Sequence, residues 1–417
     1  MPVPYWRLSG FYGLYFALIG CIMPFWGLYL QHQSFSAADI GLLLALFSAI
    51  RIFAPNLWAS LNYSLEHIIA PIQLMRLGGL LMLLSFLGFY WATELWHYAL
   101  VMLIYGFFWS AILPQYETLT LNHIKDNMSI YSNMLLWGST GFIIMATGLG
   151  WLFDYLSIQY LPVIMMIIMI LIVMNSLVLK PADTALDTQI EAGLRNSSDS
   201  ENNNLKVEIN TQQNRIIKLG IYSFLTISIL LQVTHGPYYV FFTIYLQQFD
   251  YSNSMIGILW SLGVLAEIIL FWKISFFMPR WPLRDLVIAS LLLTAVRWFI
   301  TAYCADNAVL LVFAQCLHAF SFALLHVVSI RYIGIFWPGK KRLYGQALYS
   351  GLGFGLGGAI GAGLAGLIWS NGVSEGVIES ANGPSLVFSA AGVIALIALV
   401  IAYYGLPKAD AEGSAEK

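Results

Sequence analysis

The sequence predicts an all-α membrane protein of twelve transmembrane helices arranged as two six-helix repeats. Three observations carry this. The 417 residues are 59% hydrophobic and 10% charged, with a mean hydropathy of +0.76, whereas soluble domains carry roughly 25% charged residues. Twelve windows reach the length of about 20 apolar residues that a membrane-spanning helix needs. The two sets of six windows also share sequence at a fixed offset.

The spans, in order, are expected near 8–30, 38–61, 69–92, 96–120, 132–154 and 157–179, then 217–247, 253–277, 283–304, 308–335, 343–370 and 385–406. The first begins without a short apolar region and cleavage site, so it is expected to be a retained helix rather than a signal peptide. It carries Pro24-Phe25-Trp26, and the second carries Arg51 at its middle. Arg76 in the third is close enough to the span's end to snorkel, and Glu117 falls late in the fourth. The fifth holds Gly138, Gly141, Gly148 and Gly150, and the eleventh holds GLGFGLGGAIGAGLAG; small residues let helices approach closely. No strand precedes and no Gly-Lys-Ser follows that run, so it is not a phosphate loop. The seventh span contains His235 and Pro237-Tyr238-Tyr239, the eighth Glu267, the ninth Arg297, and the tenth His318, His326 and Arg331.

Between the two sets lies a polar stretch that includes RNSSDSENNN, expected to be a flexible linker. The domain plan is therefore 1–180 for the N-terminal half, 181–216 for the linker, 217–406 for the C-terminal half and 407–417 for a tail. The odd-numbered loops contain no Lys or Arg, whereas Arg7, Lys125, the linker basics, Arg280, Arg284, Lys340, Lys341, Arg342, Lys408 and Lys417 fall on the other side. The positive-inside rule then places both termini and the linker in the cytoplasm, and a bacterial inner membrane is the expected location.

Tyr29, Leu30, Gln31, Ser36, Ile40, Gly41 and Leu43 each recur 216 positions later, and a second register of 213 pairs Tyr131, Leu135, Gly138, Gly148 and Gly150 with Tyr344, Leu348, Gly351, Gly361 and Gly363. Two parallel six-helix repeats are a transporter architecture, with the substrate site near the midplane between them.

A charge at the bilayer centre costs about 2.5–3.5 kcal/mol on insertion scales, so each one needs a partner or a purpose. Glu267 and Arg297 lie 14 residues into their spans, Arg51 lies 13 and His318 lies 10, all near the midplane; His235, 18 residues in, lies further outward. Low dielectric favours the protonated form of a carboxylate, and a neighbouring arginine favours the ionised form. Histidine exchanges protons near neutral pH. Glu267, Arg297 and His318 are therefore the candidate proton-coupling residues, and Arg51, Glu117, His235, Tyr238 and Trp26 the candidate substrate contacts. The alternative for the first set is a static ion pair that locks helices together.

Composition excludes a soluble enzyme, and 19 Lys+Arg against 21 Asp+Glu leaves no basic footprint for nucleic acid. Cys21, Cys304 and Cys316 lie in apolar runs without metal-ligand spacing, and no HExxH or clustered Cys/His occurs. No cofactor, metal or catalytic residue is expected. The expected partners are a small-molecule substrate, a proton and the lipid bilayer, in a monomer.

PFWGLYL at 24–30, LLQVTHGPYYVFFTIYL at 230–246, ILWSLGVLAEIILFW at 258–272, TAVRW at 294–298, CLHAF at 316–320 and RYIG at 331–334 resemble the major facilitator superfamily. They are most similar to the branch that contains lactose permease, nucleoside–proton symporters and the phenylpropionate permease. The resemblance implies that Arg297 matches a ninth-helix arginine, His318 a tenth-helix histidine and Glu117 a fourth-helix substrate-binding carboxylate of lactose permease. It also brings departures. The sugar-binding arginine falls on Leu135, the proton-carrying glutamate on Ser321 and the eighth-helix glutamate on Val264. The loop motif Gly-x-x-x-Asp-Arg is degenerate here, in the stretch that holds Ala59 and Asn62. Sugar transport is thus disfavoured and proton coupling, if present, is relocated. The expectation is proton-coupled import of a small organic solute such as a phenylpropionate-like aromatic acid. The alternatives are a nucleoside–proton symporter, a drug efflux antiporter or a non-transporting membrane sensor.

Overall fold

The computed structural model describes residues 4–65, 68–124, 127–179, 211–374 and 382–408. Among these residues there are twelve membrane-length helices and no strand. They are α1 (Tyr5–His32), α2 (Ala37–Leu65), α3 (Pro71–Tyr90), α4 (Leu95–Ile124), α5 (Ile130–Phe153), α6 (Ile158–Val178), α7 (Ile217–Gln247), α8 (Asn253–Phe277), α9 (Leu283–Tyr303), α10 (Ala308–Phe336), α11 (Arg342–Ser370) and α12 (Gly383–Gly405). The linker expected at 181–216 lies outside the described residues as far as 210, as does the tail expected at 407–417 from 409 onward.

Capping groups fix where α2 and α8 begin. Ser36 Oγ accepts from the Asp39 N–H at 3.2 Å, and Asp39 Oδ2 accepts from the Ser36 N–H at 3.2 Å, a capping box that starts α2. Ser252, its counterpart 216 positions on, starts α8 by accepting from the Met255 N–H at 3.3 Å. The residues two positions earlier, Ser34 (φ 67°) and Asp250 (φ 60°), are both left-handed. The repeat seen in the sequence is therefore a repeat of turn chemistry. Arg76 does more than snorkel: its guanidinium donates to the Ser176 and Leu179 carbonyls at 3.0 and 2.7 Å, satisfying the end of α6.

Helix α1 packs on α5 and α6, and α3 on α4 and α6; in the second set α7 and α9 pack on α12, and α7 on α11. Across the seam between the sets, α5 meets α8, α2 meets α11, and α1 meets α7. The repeated glycines mark these crossings. A Cβ at Gly41 would come within 2.7 Å of the Gly366 Cα, and one at Gly257 would strike the Ala146 carbonyl. One apolar cluster runs through α1, α4, α5 and α6 and crosses the seam to Tyr238, Trp260, Trp298 and Phe388. A second stays within α7–α12, around Phe224, Tyr332, Phe336 and Trp337. The seam is thus packed at the odd-loop end.

Three spans depart from α-helical geometry at mid-depth. In α2 the helix tightens to a 3-10 turn at Ile50–Ile52 and resumes at Ala54. Pro55 supplies no N–H to the Arg51 carbonyl four residues before it. In α10 and α11, π-helical segments occupy Ala319–Leu324 and Tyr349–Gly357.

Hydrogen bonds across the seam cluster at the packed end. Asp154 Oδ1, at the end of α5, accepts from the Asn253 N–H at 2.8 Å, and Oδ2 accepts from the Ser254 N–H at 3.2 Å. Asn253 Nδ2 donates to the Phe153 carbonyl at 3.0 Å. Asp154 therefore caps α8 from the opposite half, where a carboxylate also meets the positive end of the helix dipole. Replacing a capping carboxylate with Ala costs about 1 kcal/mol. Asp154→Ala should accordingly raise the ratio of separated to joined α5–α8 ends about fivefold. Distances between spin labels at positions 155 and 251 check this, and an unchanged distribution would deny Asp154 that part.

Candidate functional site

Arg297 of α9 has no exposed surface. Its Nη1 donates to His318 Nδ1 at 2.9 Å and to Ser321 Oγ at 3.2 Å, and Nη2 reaches Gln315 Oε1 at 3.5 Å. The guanidinium carbon sits 4.4 Å from the Tyr238 ring centroid and 4.2 Å from that of Trp298. Cation–π contact of this kind strengthens when desolvated. Tyr238 Oη donates to Gln315 Oε1 at 3.0 Å, which fixes the amide that faces the arginine. Three helices, α7, α9 and α10, thus close around one charge.

The consequence for His318 is chemical. Arginine only donates, so His318 Nδ1 must present its lone pair and Nε2 must carry the ring proton. Nε2 lies 2.8 Å from Glu267 Oε1 on α8, and its N–H donates to that carboxylate. The structure therefore brings Arg297, His318 and Glu267 into one directed line: guanidinium, neutral imidazole, carboxylate. His318 stands immediately before the π segment of α10, and Gly263 of α8 gives its ring room, since a Cβ there would lie 3.1 Å from His318 Cδ2.

The other candidates spread out. His235 is fully buried behind this line; its Nδ1 lies 2.9 Å from the Leu231 carbonyl, and its ring meets Trp298 edge-on at 5.2 Å. Tyr238 is part of the arginine's enclosure and 1% exposed. Trp26 packs within the first half, against Tyr29, Phe86 and Phe89, away from the polar line. Glu117 on α4 is half-buried and accepts from Tyr131 Oη at 3.3 Å. Arg51 is exposed, sits at the break in α2, and lies 5.8 Å from the Phe354 ring of α11. Its 3-10 turn packs on the π segment of α11, which places it at the seam. Arg297 is enclosed and both its Nη groups are engaged, whereas Arg51 is exposed.

Sequence reasoning missed Gln315, Phe322 and Phe354, and met Ser321 only as a departure from the family pattern. Their polar or aromatic side chains are unexceptional within a span, and only the fold assigns them neighbours. Pro55 was a legible signal: a proline four residues after a mid-span arginine marks a broken helix.

The two arginines should respond differently to the same change. Hydrogen bonds to a charged group are worth about 1.5–3 kcal/mol, and Lys cannot reproduce the fork. Arg297→Lys should destabilise the purified protein by about 2 kcal/mol. Arg51→Lys, an exposed change, should stay within about 0.5 kcal/mol. Thermal melts of both variants check this, and equal losses would contradict the distinction.

Residues 5–377 match the MFS_1 like family. The chain is 30% identical to a probable 3-phenylpropionic acid transporter of Escherichia coli (strain K12), over 84% of this chain and 87% of that protein. Among solved structures, nucleoside transporter NupG superimposes with a TM-score of 0.77 at 18% identity, covering 97% of this chain and 98% of that one. A D-xylose-proton symporter does so with a TM-score of 0.71 at 12% identity, covering 98% of each.

Proposed function

The chain belongs to the MFS_1 like family, a family of transporters rather than enzymes, and on that premise we propose that it imports a small organic acid together with a proton by alternating access. The single observation behind the proton is the directed line from Arg297 through His318 to Glu267. The acid is one that bears an aromatic ring, in keeping with the relative named for 3-phenylpropionic acid.

The coupling follows from charge. With His318 neutral, the charges of Arg297 and Glu267 at the two ends of the line cancel. Protonation of Glu267 leaves one guanidinium uncompensated in a low-dielectric site, where an unpaired charge is costly. An arriving carboxylate restores the balance. Proton and anion therefore favour each other's entry, and the loaded seam carries the same net charge as the empty one. Glu267 is the group of the line that gains and loses the proton, because Arg297 holds His318 Nδ1 as an acceptor.

The two halves, 1–180 and 217–406, are the moving units. With Lys and Arg confined to the even-loop side, both termini and the linker face the cytoplasm of a bacterial inner membrane. The packed odd-loop end then faces outward. Asp154 and the glycine crossings are the contacts that must part for substrate to enter.

Glu267→Gln keeps an oxygen to accept from His318 Nε2 but mimics the protonated carboxyl permanently. Purified and reconstituted, this variant should bind substrate and exchange it across the membrane, yet fail to accumulate it when a pH gradient is applied. Normal accumulation by the variant would remove Glu267 from the coupling. Absence of uptake by the unmodified protein, with binding intact, would favour a sensor.

A further inference from the structure

Resting on the reading that the cargo is an organic acid, we propose that Phe354 and Phe322 form an aryl-binding slot with Arg51 as its carboxylate anchor. The slot selects acids that carry an aromatic ring over saturated acids of the same shape.

The two phenylalanines are borne on the two π-helical segments, Phe322 on α10 and Phe354 on α11. A π turn inserts a residue and redirects the side chains around it, and such turns occur frequently at functional sites. Phe322 stacks on His318 at 5.5 Å with an interplanar angle of 19°, and Phe354 meets Phe322 edge-on at 6.2 Å and 68°. Arg51 then stands 5.8 Å from the Phe354 ring, across the seam. An aromatic wall thus connects the Arg297–His318–Glu267 line to an exposed guanidinium. Both rings are half-buried, unlike Trp298 and Phe241, which are fully enclosed; a ring of substrate has a face to meet.

Two details hold Arg51 and Phe354 in register. The break in α2 falls at Ile50–Ile52, and the glycines of the α11 π segment let that helix come against it. A Cβ at Gly355 would lie 2.7 Å from Ile52 Cγ1 and 3.0 Å from the Ile52 nitrogen. No carboxylate among the described residues lies within ion-pair distance of Arg51. Its planar fork suits a carboxylate in bidentate fashion, and an acid whose ring lies against Phe354 and Phe322 brings its carboxylate to that fork.

The test is equilibrium binding of 3-phenylpropionate and its saturated analogue 3-cyclohexylpropionate to the purified full-length protein. Aromatic pairing predicts that the unmodified protein prefers the aryl acid by about threefold to tenfold. Phe354→Leu, close in volume and apolar, should bring the two affinities together, whereas Arg51→Gln should weaken both acids and leave their ratio intact. Phe322→Leu gives the same readout if Phe354→Leu does not fold. A preference that survives in a folded leucine variant overturns the slot while leaving acid transport standing. Binding of neither acid by the unmodified protein removes the slot and the organic-acid reading together.

Discussion

A guanidinium with no exposed surface, at mid-membrane depth, is a demand that the surrounding chain has to meet. Arg297 is met by a hydrogen-bonding histidine, a serine hydroxyl, a glutamine oxygen and two aromatic faces. Each partner comes from a neighbouring helix or from the next residue, so one charge draws α7, α9 and α10 to a common point. The arrangement also has direction. Because arginine cannot accept a hydrogen bond, its contact with His318 decides which imidazole nitrogen carries the proton. That nitrogen then faces Glu267 Oε1 at 2.8 Å. A packing constraint becomes a statement about where a proton is held.

Around that fixed point the structure separates what stays rigid from what is built to part. The seam between the two sets of helices uses glycine where backbones cross, at Gly41 against Gly366 and Gly257 against Ala146. Such contacts rely on close approach and few side-chain bonds, so parting them leaves little unsatisfied. Asp154 adds hydrogen bonds to two N–H groups, capping α8 from the other half. The irregular backbone of α2, α10 and α11 lies at the same depth as Arg51 and His318. Non-helical backbone at membrane depth is tolerated where protein or a cavity surrounds it, which is the setting a substrate site requires.

Much of this was legible in the residues. Hydropathy located all twelve spans, since the bilayer imposes a length and an apolar composition on each. Counting along the spans brought Glu267, Arg297 and His318 to one depth, and the structure brings them into contact. The 216-residue repeat proved to encode an N-cap, at Ser36 and Ser252, and a glycine crossing, at Gly41 and Gly257, each a strict local requirement and so visible in sequence; the left-handed residue two positions before the cap recurs with a different side chain. What stayed hidden depends on rotation about a helix axis. Depth says nothing of which face a residue occupies, so Trp26 seemed available for a ligand and instead packs within the first half. Gln315 and Ser321 gained meaning only when α10 was set beside α9. The π segments left no compositional mark in α10, and in α11 the glycine run pointed to close packing and not to a displaced Phe354.

The central claim is that Arg297 fixes His318 as a neutral imidazole with its proton on Nε2, aimed at Glu267. Nitrogen-15 NMR of histidine-labelled protein at neutral pH, with His318 assigned by its disappearance in His318→Asn, measures that directly. The account predicts a bare Nδ1 and a protonated Nε2. A signal from a protonated Nδ1, whether in the other tautomer or in the imidazolium, would contradict it.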